Sequence, residues 1–327
     1  MVQHVSTAPA TTAPGAAALD QLEKAGLKKH RSLWNNAWRQ FRHHRLALAG
    51  LIVFVSLVLI TFVGAMVYPR DKDYIDFMVT SLPPFQSWKY PLGTDTLGRD
   101  ILARLLWGGR VSIAVGVISA GVAITIGTLV GAIAGFFGGF ADSLLMRVTD
   151  LFISLPQVPL LLMVSFLFRD SFYNWFDREF NNGNLGVFVL IVLVLAALSW
   201  MPTARLVRAS FLSLKEKEFV EAARAVGVNR PALIMRHILP NSLSPIIVAA
   251  TLSVGAAIIG ESVLSFLGLG FPSDVPTWGR MLFEAKDFLQ LSPHEAMIPG
   301  TAIFIIVLSI NYIGDGLRDA LDPRKTQ

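Results

Sequence analysis

No cysteine occurs in the chain, which excludes a disulfide framework, a thiolate nucleophile and a cysteine-based zinc cluster. Charge is scarce too: 16% of the residues are Asp, Glu, Lys or Arg, against about 25% in an average soluble domain. The six histidines are scattered without metal-ligand spacing, so no metal site is assigned. No Ser/His/Asp arrangement stands out, and no catalytic residue is named. A G-x-x-x-x-G-K-S/T phosphate loop is missing as well, so the chain lacks the usual means of binding and splitting ATP by itself.

What remains is apolar. Of 327 residues, 53% are hydrophobic, in runs long enough to cross roughly 30 Å of hydrocarbon. Residues 1–20, rich in Ala, Thr and Pro, are expected to be a disordered tail. Residues 21–45 are basic, with Trp34, Trp38 and Phe41 at helical spacing. They read as an amphipathic helix on the lipid surface. A span follows at once, which argues against nucleic acid as the partner of these charges. Six spans are expected: Leu46–Tyr68, Val111–Phe136, Leu144–Phe168, Leu185–Met201, Ser244–Leu267 and Ile298–Ile313. The second carries Gly127 and Gly131, a small-xxx-small step for close helix contact. The third carries Pro156 and Pro159, tolerable where neighbours rescue the freed carbonyls. An even number of spans puts both ends on one side. With that side inside, it holds 18 Lys and Arg against 10 outside, so the tails and the 205–240 segment are expected in the cytoplasm.

That segment contains Glu221-Ala222-Ala223, three further residues, Gly227, and a spacer ending in Ile238-Leu239-Pro240. Gly227 is expected to end a helix in left-handed conformation. Asn229 then caps a second short helix with Pro231 in its first turn, and Leu239-Pro240 stops it. About thirty polar residues are more than a chain reversal needs, and the pair reads as a docking surface.

The pattern resembles the EAA loop of permease subunits of ABC importers, which fits a groove on the ATPase. The resemblance implies coupling residues at Glu221, Ala222, Ala223, Gly227, His237, Leu239 and Pro240. The family pattern has an aliphatic residue three before the proline; here His237 stands there, with Ile238 beside it. A second motif lies in the 69–110 loop, Leu92-Gly93-Thr94-Asp95-Thr96-Leu97-Gly98-Arg99-Asp100. Thr94 and Asp95 can turn or cap the chain there. Ile101, Leu102, Leu105 and Leu106 then suggest a short helix at the outer interface. This text, and Glu261 to Gly270 (E-S-V-L-S-F-L-G-L-G), is similar to the dipeptide/oligopeptide/nickel branch of those permeases, over roughly residues 40–322. The extracytoplasmic motif residues are Gly93, Thr94, Asp95, Gly98, Arg99 and Asp100.

The resemblance implies an all-α integral membrane fold, a type I, MetI-like bundle of six transmembrane helices with a long first extracytoplasmic loop. Its divisions would be a tail (1–20), a basic segment (21–45), the first helix and loop (46–110), a core (111–317) with the coupling loop at 211–240, and a second tail (318–327). The function implied is half of the pathway of an ATP-driven importer of di- or oligopeptides in a bacterial or archaeal plasma membrane. Its partners would be a second permease, two ATPase subunits holding ATP and Mg, an extracytoplasmic solute-binding protein, peptide and lipid. The chain itself would hold no cofactor. Nickel or another small solute is the alternative cargo. An ion-coupled secondary transporter is the rival class, but it would show ionisable residues near the midplane. Glu261 is the clearest such residue, a pathway residue or a helix-packing one. Arg147 and Asp150 are expected to pair, and Asn311 to bond between helices.

Overall fold

The computed structural model describes residues 33–321. The expected tail at 1–20, the basic stretch up to residue 32 and residues 322–327 lie outside the described residues. Eleven helices follow in order: α1 (Leu33–His43), α2 (Arg45–Val67), α3 (Ile101–Phe137), α4 (Gly139–Ser154), α5 (Gln157–Phe180), α6 (Gly183–Ala197), α7 (Met201–Leu214), α8 (Glu218–Ala225), α9 (Arg230–Phe266), α10 (Trp278–Ala285) and α11 (His294–Leu321). The described residues form no extended strand, only isolated bridges that fold the 69–100 segment on itself.

Four helices, α2, α3, α9 and α11, are long and apolar enough to cross a membrane, and there are six spans if the bent pairs α4/α5 and α6/α7 each count as one. The expected third span is thus not continuous. Its halves meet at 87° because Pro156 holds Leu155 extended, at φ −76° and ψ 139°. Pro159 costs nothing there, since it falls in the first turn of α5, where the N–H has no intrahelical acceptor. The fourth span bends by 45° between α6 and α7. The second differs in the opposite way. Asp100 accepts from the amides of Leu102 and Ala103 and starts a 37-residue helix. Ile101 to Arg110 are therefore its first turns, mostly buried, rather than a separate interfacial helix.

Glycines set how closely α3 meets α7. A Cβ on Gly127 would lie 2.6 Å from the Trp200 carbonyl, and one on Gly131 2.4 Å from that of Ala204. A Cβ on Gly135 would lie 2.6 Å from that of Phe211. Backbone cannot step aside as a side-chain tip can. Gly131→Ala is therefore expected to lower stability by about 1–3 kcal/mol. Gly121→Ala, on the same helix with nothing within 4 Å, should leave it unchanged or raised. Thermal midpoints of the two purified variants check the contrast.

Two expected pairings are not made. Asp150 meets Arg205 of α7 rather than Arg147, an exposed pair that contributes little. Asn311 is exposed, with no interhelical hydrogen bond among the described residues. Phe41 is buried against Ala47 and Ala320, while Trp38 is exposed.

Candidate functional site

Two polar elements sit at opposite ends of the bundle. At the end carrying residues 69–100, all six motif residues are buried. Gly93 and Gly98 have φ of +82° and +79°, and a Cβ on either would lie 2.1 Å from a carbonyl oxygen, that of Leu82 or Asp76. Thr94 donates its hydroxyl to the Val79 carbonyl and accepts from the Leu82 amide at 3.0 Å. Asp95 accepts from the Leu97 and Arg99 amides and, at 2.6 Å, from Arg99 Nε. Asp100 caps α3 and also accepts from the Tyr68 hydroxyl at 2.7 Å. Burial and that carboxylate push the Tyr68 phenol well above its usual range.

The motif is joined to the rest of the chain through a carboxylate that the sequence did not single out. Glu284 of α10 accepts from Arg99 at 2.6 Å, from Arg104 at 2.9 Å and from Arg280 at 3.1 Å. Arg104 is 1% exposed. Burial works against the charge of Arg99, but Asp95 and Glu284 more than offset this and hold its guanidinium above the ordinary value. Glu295, at the start of α11, lines a small cavity together with Asp95, Arg99, Arg104 and Glu284. The motif therefore works as a fastener between loop, α3, α10 and α11. The loop shows its partners other side chains, with Phe77, Met78, Phe85 and Trp88 all exposed.

Glu261 belongs to the same end. It is fully buried and accepts from Ser112 Oγ at 3.0 Å and Ser265 Oγ at 2.7 Å. Ser112 also accepts from the Trp278 amide, at 3.2 Å. Glu261 thus ties α9 to α3 directly and, through Ser112, to the first amide of α10.

At the other end, α8 stops at Val226. Gly227 takes φ +82°, and the Gly227 and Val228 amides donate to the carbonyls of Arg224 and Ala223, a Schellman closure. Asn229 Oδ1 accepts from the Ala232 amide at 3.0 Å, with Pro231 in the first turn, as expected. Pro240 does not stop this helix. Residues Leu233–Ile238 form a π-helical turn and the Leu239 amide donates to Ile234, after which Leu239–Phe266 continues. The wider turn accommodates a proline that has no N–H to donate. Within this turn Ile238 is the buried residue, while His237 beside it is half-buried. Val220, Ala223, Leu233 and Ile238 pack with Ala132, Val207 and Phe211 of α3 and α7. Glu221, Ala222 and Pro240 are exposed, while His237 and Leu239 are half-buried.

A bundle of long apolar helices, with a fastened polar loop at one end and a two-helix element at the other, defines a multi-pass membrane protein. Residues 127–327 match the family described as binding-protein-dependent transport system inner membrane component. Residues 32–84 match the N-terminal TM domain of oligopeptide transport permease C. The chain belongs to this family of ABC importer permeases. It is 37% identical to the oligopeptide transport system permease protein OppC of Haemophilus influenzae, over 93% of each chain. It is 37% identical to the dipeptide transport system permease protein DppC of Alkalihalophilus pseudofirmus, over 90% of each. With the glutathione transport system permease protein GsiD of Pectobacterium atrosepticum the identity is 39%, over 91% of this chain and 93% of that one. Its fold is shared with a chain of the MetNI methionine ABC transporter in inward-facing form. There the TM-score is 0.51 at 18% identity, covering 66% of this chain and 95% of the other.

Proposed function

We propose that the chain is one of two permease subunits of an ATP-driven peptide importer, with both termini and residues 211–240 in the cytoplasm. One observation carries the coupling role: α8 and the π-helical turn are welded to α3 and α7 by apolar packing yet expose Glu221, Val226 and Met235. A push on that surface reaches the spans without being absorbed by a loose loop, because packed elements shift between discrete arrangements. The energy comes from partner ATPases, since the sequence has no phosphate loop. A solute-binding protein delivers cargo at the 69–100 end, where the exposed apolar tip receives it. Peptide cargo is supported by the names of the OppC and DppC relatives, and glutathione, the cargo named for GsiD, is itself a peptide.

Uptake of a labelled dipeptide into vesicles holding the assembled importer tests the reading. It should stop when ATP is depleted and persist when the proton gradient is collapsed; the reverse pattern would favour an ion-coupled carrier. Glu221→Lys reverses an exposed charge in the first turn of α8, where a cation also opposes the helix dipole. It should reduce ATPase recovered with the tagged permease several-fold, leaving the permease folded. An unchanged ATPase yield would remove Glu221 from the contact.

A further inference from the structure

Two spans are broken at one level, and each break lies beside a proline. Pro156 follows the extended Leu155 between α4 and α5, and Pro202 sits in the first turn of α7, just past the 45° bend. A proline has no N–H to donate. The Leu198 carbonyl, which residue 202 would ordinarily bond, therefore receives no backbone amide among the described residues. Its donor comes from the other break. Gln157, the residue after Pro156, donates its Nε2 to that carbonyl at 3.1 Å, the rescue a neighbouring helix has to supply. The Phe152 and Trp200 rings meet at the same place, their centroids 6.2 Å apart.

The helices pair closely on either side of this level. On one side, α6 is seated on α5 through glycine: a Cβ on Gly186 would lie 2.4 Å from the Phe172 carbonyl, and one on Gly183 2.5 Å from the Tyr173 ring. On the other, Arg208 of α7 donates to both carboxylate oxygens of Asp142 on α4, a planar fork. Helix α7 is in turn seated on α3 at Gly127, Gly131 and Gly135. Contact between the two groups is of another kind. No glycine of α3 meets α6 among the described residues. Val115 of α3 instead shares a side-chain cluster with Val187 and Ile191 of α6, and side-chain packing of this sort permits small sliding movements.

We propose that the two breaks form one hinge, pinned by the Gln157 side chain, about which the α5/α6 pair turns as a unit against the body made of α3, α4 and α7. Helix α8 and the π-helical turn pack on α3 and α7, so a push on the cytoplasmic element reaches the hinge through that body. The hinge goes beyond the importer reading and takes from it only the source of the push. Gln157 is a positioning residue: its amide holds the two breaks together.

With no native cysteine in the chain, pairs of spin labels on introduced cysteines test this in the assembled importer. Leu144 and Leu206 report within the body, Phe166 and Leu193 within the α5/α6 pair, and Leu144 and Phe166 across the hinge, all at exposed positions. Each crossing arm is about ten residues, roughly 15 Å, so a turn of about 15° displaces one label by about 4 Å. Distances measured without nucleotide and with ADP and vanadate trapped should differ by that amount for the crossing pair and agree for the other two. Equal shifts in all three pairs, or no shift in the crossing pair, would overturn the hinge. The pin is read in the same preparation before nucleotide is added, independently of the importer reading. Gln157→Leu, which cannot donate, should raise a second, shifted population of the crossing distance about fivefold, as expected for one lost hydrogen bond. Pro202→Ala in that background gives the Leu198 carbonyl an amide of its own and should return the population to wild type. An unchanged population in Gln157→Leu, or no return with Pro202→Ala, would reject the pin. A preparation without any ATPase would reject the importer reading and leave the pin measurement to judge the hinge.

Discussion

Glu284→Ala should be the most damaging single substitution at the 69–100 end, lowering stability by about 3–5 kcal/mol. The reason is the imbalance it leaves. Glu284 accepts from Arg99, Arg104 and Arg280 at 2.6 to 3.1 Å, and Arg104 is 1% exposed. Without Glu284, Asp95 still faces Arg99, but Arg104 loses its ion-pair partner in a place water does not reach. An intact buried pair adds little net stability, whereas half of one is costly. A purified permease complex carrying the variant should lose at least about 5 °C in thermal midpoint. Arg104→Met in the Glu284→Ala background should recover part of that loss, because it removes the stranded charge while keeping an apolar stem. An unchanged midpoint in Glu284→Ala, or no recovery in the double variant, would show that the fastening lies elsewhere.

The places of the apolar helices were legible because apolar runs register directly in sequence; their shapes were not. Pro156 announced a disturbance, but its outcome depended on position. A proline that opens a new helix can turn the chain through 87°, while one inside a supported helix, such as Pro245 in α9, leaves it running. Nothing in the residues alone separates these, because the difference lies in whether neighbouring helices hold the flanking segments in line. The same limit hid the length of α3. Ile101 to Arg110 have an amphipathic pattern fit for a surface helix, and only packing against α10 and α2 buries them. The Trp278 indole donates to the Leu105 carbonyl from 173 residues away, a contact with no local trace.

Site legibility followed the same division. Capping by Asn229, the turn at Gly227 and the cap at Asp100 are local events, set by backbone groups within four residues. The fastening by Glu284 is not: it lies 185 residues from Arg99, in an ordinary-looking stretch. His237 presented an apparent mismatch of register, and the structure buries its neighbour Ile238, in the π-helical turn.

Gly227→Val is expected to separate ATP hydrolysis from transport. The glycine sits at φ +82° with nothing within 4 Å of where a Cβ would go. No neighbour would be struck, so the entire cost lies in the backbone, which a β-branched residue cannot readily hold at positive φ. Relief requires the turn to open and the Gly227 and Val228 amides to leave the Arg224 and Ala223 carbonyls. Helix α8 would then meet the π-helical turn at a different angle. Val220 and Ala223 sit in one apolar cluster with Leu233 and Ile238, so a changed angle loosens the joint that passes the push to α3 and α7. The bundle itself does not depend on this exposed turn, and the variant should fold and assemble. Strain of this kind amounts to about 1–3 kcal/mol, which corresponds to a fall of roughly tenfold or more in uptake if it opposes the coupled state. Gly227→Asn provides the control, since Asn tolerates the left-handed region and should retain most activity. Uptake measured beside ATPase rate decides the matter: Val low and Asn near wild type locates coupling in this turn, while equal uptake by both would show that the angle between α8 and α9 carries no force.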